Sequence, residues 1–264
     1  MKINDFIINN LSEDDWVNNL IIDGINELNG EYNNSYKFFP FSVLLNISCI
    51  KYPDLSENQL STLYSMEREV LITSKRENNY NEVSITYDMT KDKTDDSAFI
   101  KIKGTENSVN FFNNSDIISL FDKTDDLCIV NLHNHPNNSD FSIRDLLIFS
   151  NLDQLKIMEI INTKGEISFL YKPYKIDLSK IVLQSIVETK QNIEDIKDIF
   201  DNITNEEHKQ IVKKCLDIFQ EKGVIYSPYL NKKQALNFKF PDILTKQTDK
   251  NYENDRNDEK DIEL

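Results

Sequence analysis

The segment from Leu127 to Pro136 constrains the fold of this chain more than any other. Its first six residues, Leu-Cys-Ile-Val-Asn-Leu, are apolar enough to form a strand that is covered on both faces. Two of the three histidines in the chain, His133 and His135, follow at once, and Pro136 ends the strand pairing. We therefore predict a central strand that carries two imidazole side chains at its carboxyl end, where open α/β sheets usually place their sites.

The segments around this strand predict a mixed α/β, or α+β, sheet domain over residues 55–175. Ser56 and Gln59 form a capping-box pattern at the start of a helix. Residues 82–87 alternate as a strand does, with Val83, Ile85 and Tyr87 on one face and Glu82, Ser84 and Thr86 on the other. The remaining elements predicted for this domain are strands near 99–102, 157–161 and 167–171 and helices near 115–121 and 142–152.

Two helical segments and a charged tail are predicted outside that domain. Residues 1–54 form an N-terminal helical segment that opens with an amphipathic helix capped by Ser12, although 38–50 fit a helix or a strand equally well. Residues 176–244 form a C-terminal helical segment, because their apolar residues keep three- and four-residue spacing. Residues 245–264 are almost purely charged and polar, so we predict a disordered acidic tail.

Composition excludes several classes of protein. A net charge of −15 repels phosphate backbones, so nucleic-acid binding is not expected. No run approaches the length of an apolar membrane span, and no signal peptide opens the chain, which predicts a cytoplasmic protein without a membrane segment. Cys49, Cys128 and Cys215 are far apart within apolar runs, which indicates buried free thiols and no cysteine-based zinc site.

The histidine pair and the segment after it have the composition of a metal site. Residues two apart in a strand project to the same side, so His133 and His135 can converge on one ion. A helix begins at Ser142 and places Asp145 in its first turn. Two histidines and a carboxylate form the three-ligand arrangement of a catalytic zinc site. Each half has an ordinary alternative, polar residues at a strand end and a plain capping box, but their occurrence within 13 residues favours the metal site.

The pattern His133-Asn-His135-Pro, followed by Ser142 and Asp145, resembles the JAMM motif of the MPN+/JAB-domain zinc metalloproteases, in the form seen in the RadC-like and phage-like prokaryotic branch. The resemblance covers residues 55–175 and is most specific over 127–149. It implies a cytidine-deaminase-like MPN/JAB sheet domain flanked by helices. It also implies that His133, His135 and Asp145 bind zinc and that Ser142 supports the oxyanion of a tetrahedral intermediate. Six residues separate His135 from Ser142, whereas the common family pattern has seven.

The same family uses an upstream glutamate, on an early strand after the first helix, as its general acid and base. Glu82 occupies the matching place, and its side chain is expected on the face opposite Val83 and Ile85. A metal-activated water needs such a base within hydrogen-bond reach. The ordinary alternative is a solvent-facing glutamate at a strand start. The reserve candidates are Glu69, Glu77 and Glu106.

The resemblance implies a zinc-dependent peptidase or isopeptidase whose substrate is a protein or peptide, with a ubiquitin-like modifier as one candidate. The sequence identifies neither the substrate nor the oligomeric state. One alternative is a RadC-like interaction module, without catalysis, linked to DNA repair or a mobile element. Another is a phosphoesterase of the PHP type, because His-x-His followed by Ser139 and Asp140 also resembles the first motif of that family. Such sites need several more histidines, and only His208, predicted on a solvated helix face, remains.

Overall fold

A computed structural model describes residues 39–92, 94–106, 108–109, 114–190 and 203–241 of the chain. Within these residues, a six-stranded mixed sheet is flanked by helices, which confirms the predicted α/β (α+β) class. The strands are β1 (Val83–Asp88), β2 (Phe99–Lys103), β3 (Ile129–His135), β4 (Leu155–Asn162), β5 (Ile167–Tyr171) and β6 (Ile225–Leu230). The α-helices are α1 (Glu57–Glu77), α2 (Ser115–Lys123), α3 (Ile143–Asn151), α4 (Ile181–Thr189), α5 (Asn205–Glu221) and α6 (Lys232–Leu236). Two 3-10 helices span Phe41–Leu45 and Asp96–Ala98.

The strand order across the sheet is β2-β1-β3-β4-β5-β6, which places β3 in the interior. Only β3 and β4 are parallel; the other neighbours pair antiparallel. A parallel pair needs a crossover connection, and α3 supplies it. The chain therefore leaves the carboxyl end of β3 and enters α3 after a short loop, so that the last residues of the strand and the first turn of the helix lie side by side.

The sheet has an apolar core on each face. On one face, α1 packs against Val83, Ile85 and Tyr87 of β1, which confirms the predicted apolar side of that strand. On the other face, α2, α3, α4 and α5 enclose a second cluster of buried apolar side chains. The metal-site candidates of β3 belong to this second face, where the polar residues Ser84 and Thr86 of β1 are also buried.

Capping side chains set the starts of the helices. The Ser56 hydroxyl oxygen accepts a hydrogen bond from the Gln59 backbone amide, and the Gln59 side-chain oxygen accepts one from the Ser56 backbone amide, which confirms the predicted capping box of α1. The same reciprocal arrangement joins Ser142 and Asp145 at the start of α3. A satisfied first turn holds the amino end of each helix in place, and in α3 that turn carries a candidate metal ligand.

The predicted C-terminal helical segment over 176–244 is wrong in part. Residues Ile225–Leu230 form β6, which pairs antiparallel with β5 at the edge of the sheet. The helical spacing that motivated the prediction is real in α4 and α5, but it does not continue past Gly223. Residues 176–241 therefore contribute a strand to the sheet in addition to helices that cover it.

The described part of the predicted N-terminal helical segment, residues 39–54, contains a 3-10 helix at Phe41–Leu45 and no α-helix. Its apolar side chains Phe39, Leu44, Ile47 and Ile50 pack into the core on the α1 face, so this part belongs to the sheet domain. The helix predicted near Ser12 and the acidic tail over 245–264 lie outside the described residues.

All three cysteines are free, as predicted, but only Cys215 is buried. Cys49 and Cys128 are half-buried, so the prediction of burial is wrong for these two. Within the described ranges, no helix combines the length and the apolar character that crossing a membrane requires.

Candidate metal centre

β3 presents a stripe of three polar side chains, Asn131, His133 and His135, on its second face. All three are buried, and Asn134, on the opposite face, is the only other polar residue of the strand. The spacing of two residues puts them on one side of the sheet, as predicted for the histidine pair. Burial of three polar side chains in a row lowers the stability of the fold unless each forms a hydrogen bond, so their hydrogen-bond partners indicate the role of these residues.

The two imidazoles and the Asp145 carboxylate meet at one point. Nε2 of His133 lies 3.1 Å from Nε2 of His135. One carboxylate oxygen of Asp145 lies 3.4 Å from Nε2 of His133, and the other lies 3.6 Å from Nε2 of His135. The structure thus brings together the three residues that the sequence predicts as ligands, from the end of β3 and the first turn of α3.

The hydrogen bonds on the far side of His133 determine which ring nitrogen is free. The Asn131 amide nitrogen donates to the hydroxyls of Ser84 and Thr86, at 2.9 and 3.0 Å, so the Asn131 amide oxygen faces Nδ1 of His133, at 3.2 Å. An amide oxygen only accepts, and Nδ1 therefore carries the proton. The lone pair of Nε2 is left pointing at the meeting point.

His135 is oriented in the same way by the loop after β3. Its Nδ1 lies 3.0 Å from the backbone carbonyl oxygen of Ser139, which can only accept a hydrogen bond. Both Nε2 lone pairs consequently converge on each other and on a carboxylate. Such an arrangement of acceptors repels itself unless a cation, either a proton or a metal ion, lies among them.

The protonation tendencies of the three groups fit this picture. Burial lowers the pKa of His133, but the negative charges of Asp145 and Glu82 outweigh it and raise that pKa above its usual value. Burial and the neighbouring His133 lower the pKa of His135. Burial opposes ionisation of Asp145, but the two histidines and the Ser142 hydroxyl hold the pKa of that carboxyl well below its usual range. An ionised carboxylate beside two imidazoles is a donor set that a divalent transition metal binds.

Ser142 is engaged with Asp145. Its backbone amide and its hydroxyl donate to one Asp145 oxygen, at 2.7 and 2.6 Å, and its hydroxyl oxygen accepts from the Asp145 amide at 3.2 Å. These bonds orient the carboxylate towards the histidines. The oxyanion role of Ser142 stays a prediction, because in this arrangement its hydroxyl hydrogen is directed at Asp145.

Glu82 borders the same point from the start of β1. One donor atom each of Glu82, His133 and His135 lies within 4.8 Å of the other two, and Glu82 is 7 % exposed. Burial raises the pKa of Glu82 to about 7, with His133 lowering it and Asp145 raising it. The reserve candidates lie elsewhere: Glu69 and Glu77 pair with surface lysines, and Glu106 is exposed.

The backbone around Glu82 is tied to β3 by Asn134, the residue between the two histidines. The Asn134 side-chain oxygen accepts from the Val83 amide at 2.7 Å, and its amide nitrogen donates to the Ser74 hydroxyl at 3.2 Å. Asn134 therefore joins α1, the start of β1 and the end of β3. It holds Glu82 at its distance from the histidines.

Sequence reasoning missed Asn131, Asn134, Ser139 and His208 as parts of this region. A signal for Asn131 existed, because it stands two residues before His133 and continues the period-two polar stripe. His208 is half-buried in a cleft on α5. Burial lowers its pKa, and the opposing charge of Asp145 only partly offsets this effect. Its nearness to Asp145 arises from the packing of α5, which the local sequence does not encode.

The chain matches no protein-family model, no curated protein and no solved structure. The buried Glu82, His133 and His135 group, together with Asp145, is a set that could hold a metal ion. The identity of that metal and the chemistry of the site are matters for proposal.

Proposed function

We propose that this protein is a zinc-dependent hydrolase of the JAMM type that cleaves amide bonds, as a peptidase or isopeptidase. The observation that supports this most is the convergence of two Nε2 lone pairs and an ionised carboxylate, with both Nδ1 atoms bound to oxygen acceptors. Three such ligands leave a fourth coordination position of zinc open to water or substrate. Zinc, when bound, supplies Lewis acidity, which lowers the pKa of a coordinated water to about 7 and polarises a carbonyl group.

Glu82 is the general base and acid in this proposal. Its carboxylate accepts a proton from the attacking water and then delivers that proton to the nitrogen of the leaving amine. A pKa near 7, caused by burial, suits a group that must both take and release a proton at neutral pH. The Asn134 bond to the Val83 amide keeps this carboxylate beside the histidines throughout.

The other residues hold the ligands. Asn131 and the Ser139 carbonyl keep the protons of His133 and His135 on Nδ1, so that both Nε2 atoms are available. Ser142 orients the Asp145 carboxylate from the first turn of α3. For Ser142 also to stabilise an oxyanion, its hydroxyl must turn away from Asp145 when substrate is present.

Metal analysis and a peptide-cleavage profile test the proposal together. Native protein should contain about one zinc per chain by mass spectrometry, and His133→Ala and Asp145→Ala should lose it. Incubation with a proteome-derived peptide library should produce new amino termini. Glu82→Gln should keep zinc and lose this cleavage, whereas Glu106→Gln, at an exposed position, should keep both.

Two results contradict the proposal. Protein purified without chelators that contains no metal would contradict the zinc centre and favour the non-catalytic interaction module. Protein that contains iron in place of zinc would contradict the zinc centre alone. Turnover that is unchanged in Glu82→Gln removes Glu82 from the mechanism. Binding to duplex DNA that weakens steeply with salt is the separate signature of the DNA-linked alternative.

A further inference from the structure

A cleft of about 620 Å³ lies between α5 and the loop that follows β3. Residues 139–141 form one wall, and α5 forms the other with residues one turn apart. The buried side chains of Phe141, Val212 and Leu216 provide apolar surface within it. A cleft of this size accommodates several residues of an extended peptide.

The wall of this cleft is the loop that orients His135. The Ser139 carbonyl accepts from Nδ1 of His135 at 3.0 Å and from the Tyr229 hydroxyl at 2.7 Å. The next residue, Asp140, accepts from the Tyr226 hydroxyl at 2.6 Å. The loop of residues 139–141 therefore lies between the cleft and the metal centre and contacts both.

The cleft has a direction. His208 lines the cleft near the amino end of α5. Lys209 and Lys213 line the same half of the helix, and Asp217 lines the far half. At about 1.5 Å per residue, Asp217 lies roughly 13 Å along the helix from His208. The half of the cleft at the amino end of α5 is therefore the basic one.

The positive charges of Lys209 and Lys213 are available to a ligand in the cleft. Neither forms an ion pair with another described residue. Asp140, the acid of the facing wall, accepts hydrogen bonds from the Phe141 amide, the Tyr226 hydroxyl and the Ser168 hydroxyl, so its oxygens are already engaged. In a chain of net charge −15, two lysines without such partners in one cleft favour an anionic group.

We propose that this cleft binds the substrate as an extended peptide segment, and that Lys209 and Lys213 select an acidic side chain of that segment. The apolar surface of Phe141, Val212 and Leu216 binds an apolar side chain next to it. This inference rests on the proposed hydrolase function, because it assigns the cleft to the substrate of that site. It names carboxylate side chains as the feature that distinguishes substrates.

A binding experiment with two probes tests the inference. The probes are fluorescein-labelled octapeptides of alternating leucine and glutamate, or leucine and glutamine, and the protein is the zinc-loaded Glu82→Gln variant. Fluorescence anisotropy near physiological salt should show about tenfold tighter binding of the glutamate peptide. Lys209→Gln with Lys213→Gln should abolish that preference. Lys180→Gln with Lys222→Gln removes the same charge from exposed lysines outside the cleft and should preserve it.

Equal binding of the two peptides, or a preference that survives in Lys209→Gln with Lys213→Gln, overturns the inference. Thermal unfolding of both double variants should match that of the parent, because all four lysines are exposed. The proposed function is read separately, from zinc content and cleavage in the wild-type chain. Zinc and cleavage without a glutamate preference refute the cleft alone, whereas a preference without zinc or cleavage refutes the hydrolase.

Discussion

The amide oxygen of Asn131 lies 3.2 Å from Nδ1 of His133, so one asparagine sets the tautomer of a candidate metal ligand. Two buried hydroxyls, of Ser84 and Thr86, in turn accept from the Asn131 amide nitrogen and fix which way the amide faces. Three residues on two strands therefore determine the protonation of a single ring nitrogen. That arrangement is the basis of the first prediction.

Asn131→Leu should weaken zinc binding by about 10- to 100-fold, because His133 loses the acceptor that keeps its proton on Nδ1. Competition with a chromophoric chelator measures the change. Asn131→Asp retains an oxygen acceptor and the hydroxyl contacts, so it should bind zinc nearly as well as the parent. Equal affinity in Asn131→Leu and the parent would mean that the tautomer of His133 does not limit metal binding.

Ser142→Ala should reduce both stability and zinc affinity. The helix loses its cap, which costs about 1 kcal/mol in the free energy of unfolding, and the Asp145 carboxylate loses the hydroxyl that orients it. Ser56→Ala is the matched control, because Ser56 makes the same capping box at the start of α1. It should lower the unfolding temperature by a similar amount without changing zinc affinity. A similar loss of zinc affinity in both variants would assign the effect to general destabilisation.

Two buried glutamates should make the protein less stable as the pH rises. Glu67 is 0 % exposed, and neither of its carboxylate oxygens has a hydrogen-bond partner among the described residues. Burial raises its pKa, and burial likewise raises the pKa of Glu159 to about 7. The folded state thus binds more protons than the unfolded state from about pH 4.5 up to the raised pKa, so stability falls across that window.

Glu67→Gln removes one of these titrations and should raise the free energy of unfolding at about pH 8 by 1 kcal/mol or more. Its stability should also change less than that of the parent between about pH 5 and 8. Urea unfolding at several pH values measures both effects. Glu221→Gln, at an exposed position on α5, should leave the profile unchanged. A profile for Glu67→Gln that matches the parent would show that Glu67 does not carry the pH dependence.

Lys172 should be a strong contributor to stability, although it is a lysine that is 1 % exposed. Its Nζ donates to the carbonyl oxygens of Phe149 and Leu152, at 2.7 and 3.0 Å, and so satisfies the carboxyl end of α3. Lys172→Met leaves those acceptors unpaired and should cost about 2–3 kcal/mol. Lys175→Met removes a surface lysine that pairs with two aspartates and should cost less than about 1 kcal/mol. Similar unfolding temperatures for the two variants would contradict this role.

Local patterns in the sequence were enough to predict most of the sheet domain. The Ser56 capping box, the alternation over 82–87 and the apolar run before His133 each predict an element that the structure contains. They succeed because capping and strand alternation depend on neighbours within a few residues. The edge strand Ile225–Leu230 was missed, because only two of its six residues are fully buried and its pairing partner, β5, is more than 50 residues away in the chain.

The sequence by itself determined the composition of the candidate site: a histidine pair at a strand end and an aspartate one turn into the next helix. Spacing within a strand and a helix turn is a local property, so these residues could be singled out before any packing was known. Only the tertiary structure decided that Glu82 faces them, that Ser84 and Thr86 turn the Asn131 amide towards His133, and that α5 brings His208 and two lysines to the loop after β3. Those relationships join residues far apart in the chain, and they exist only once the sheet has formed and α5 has packed on it.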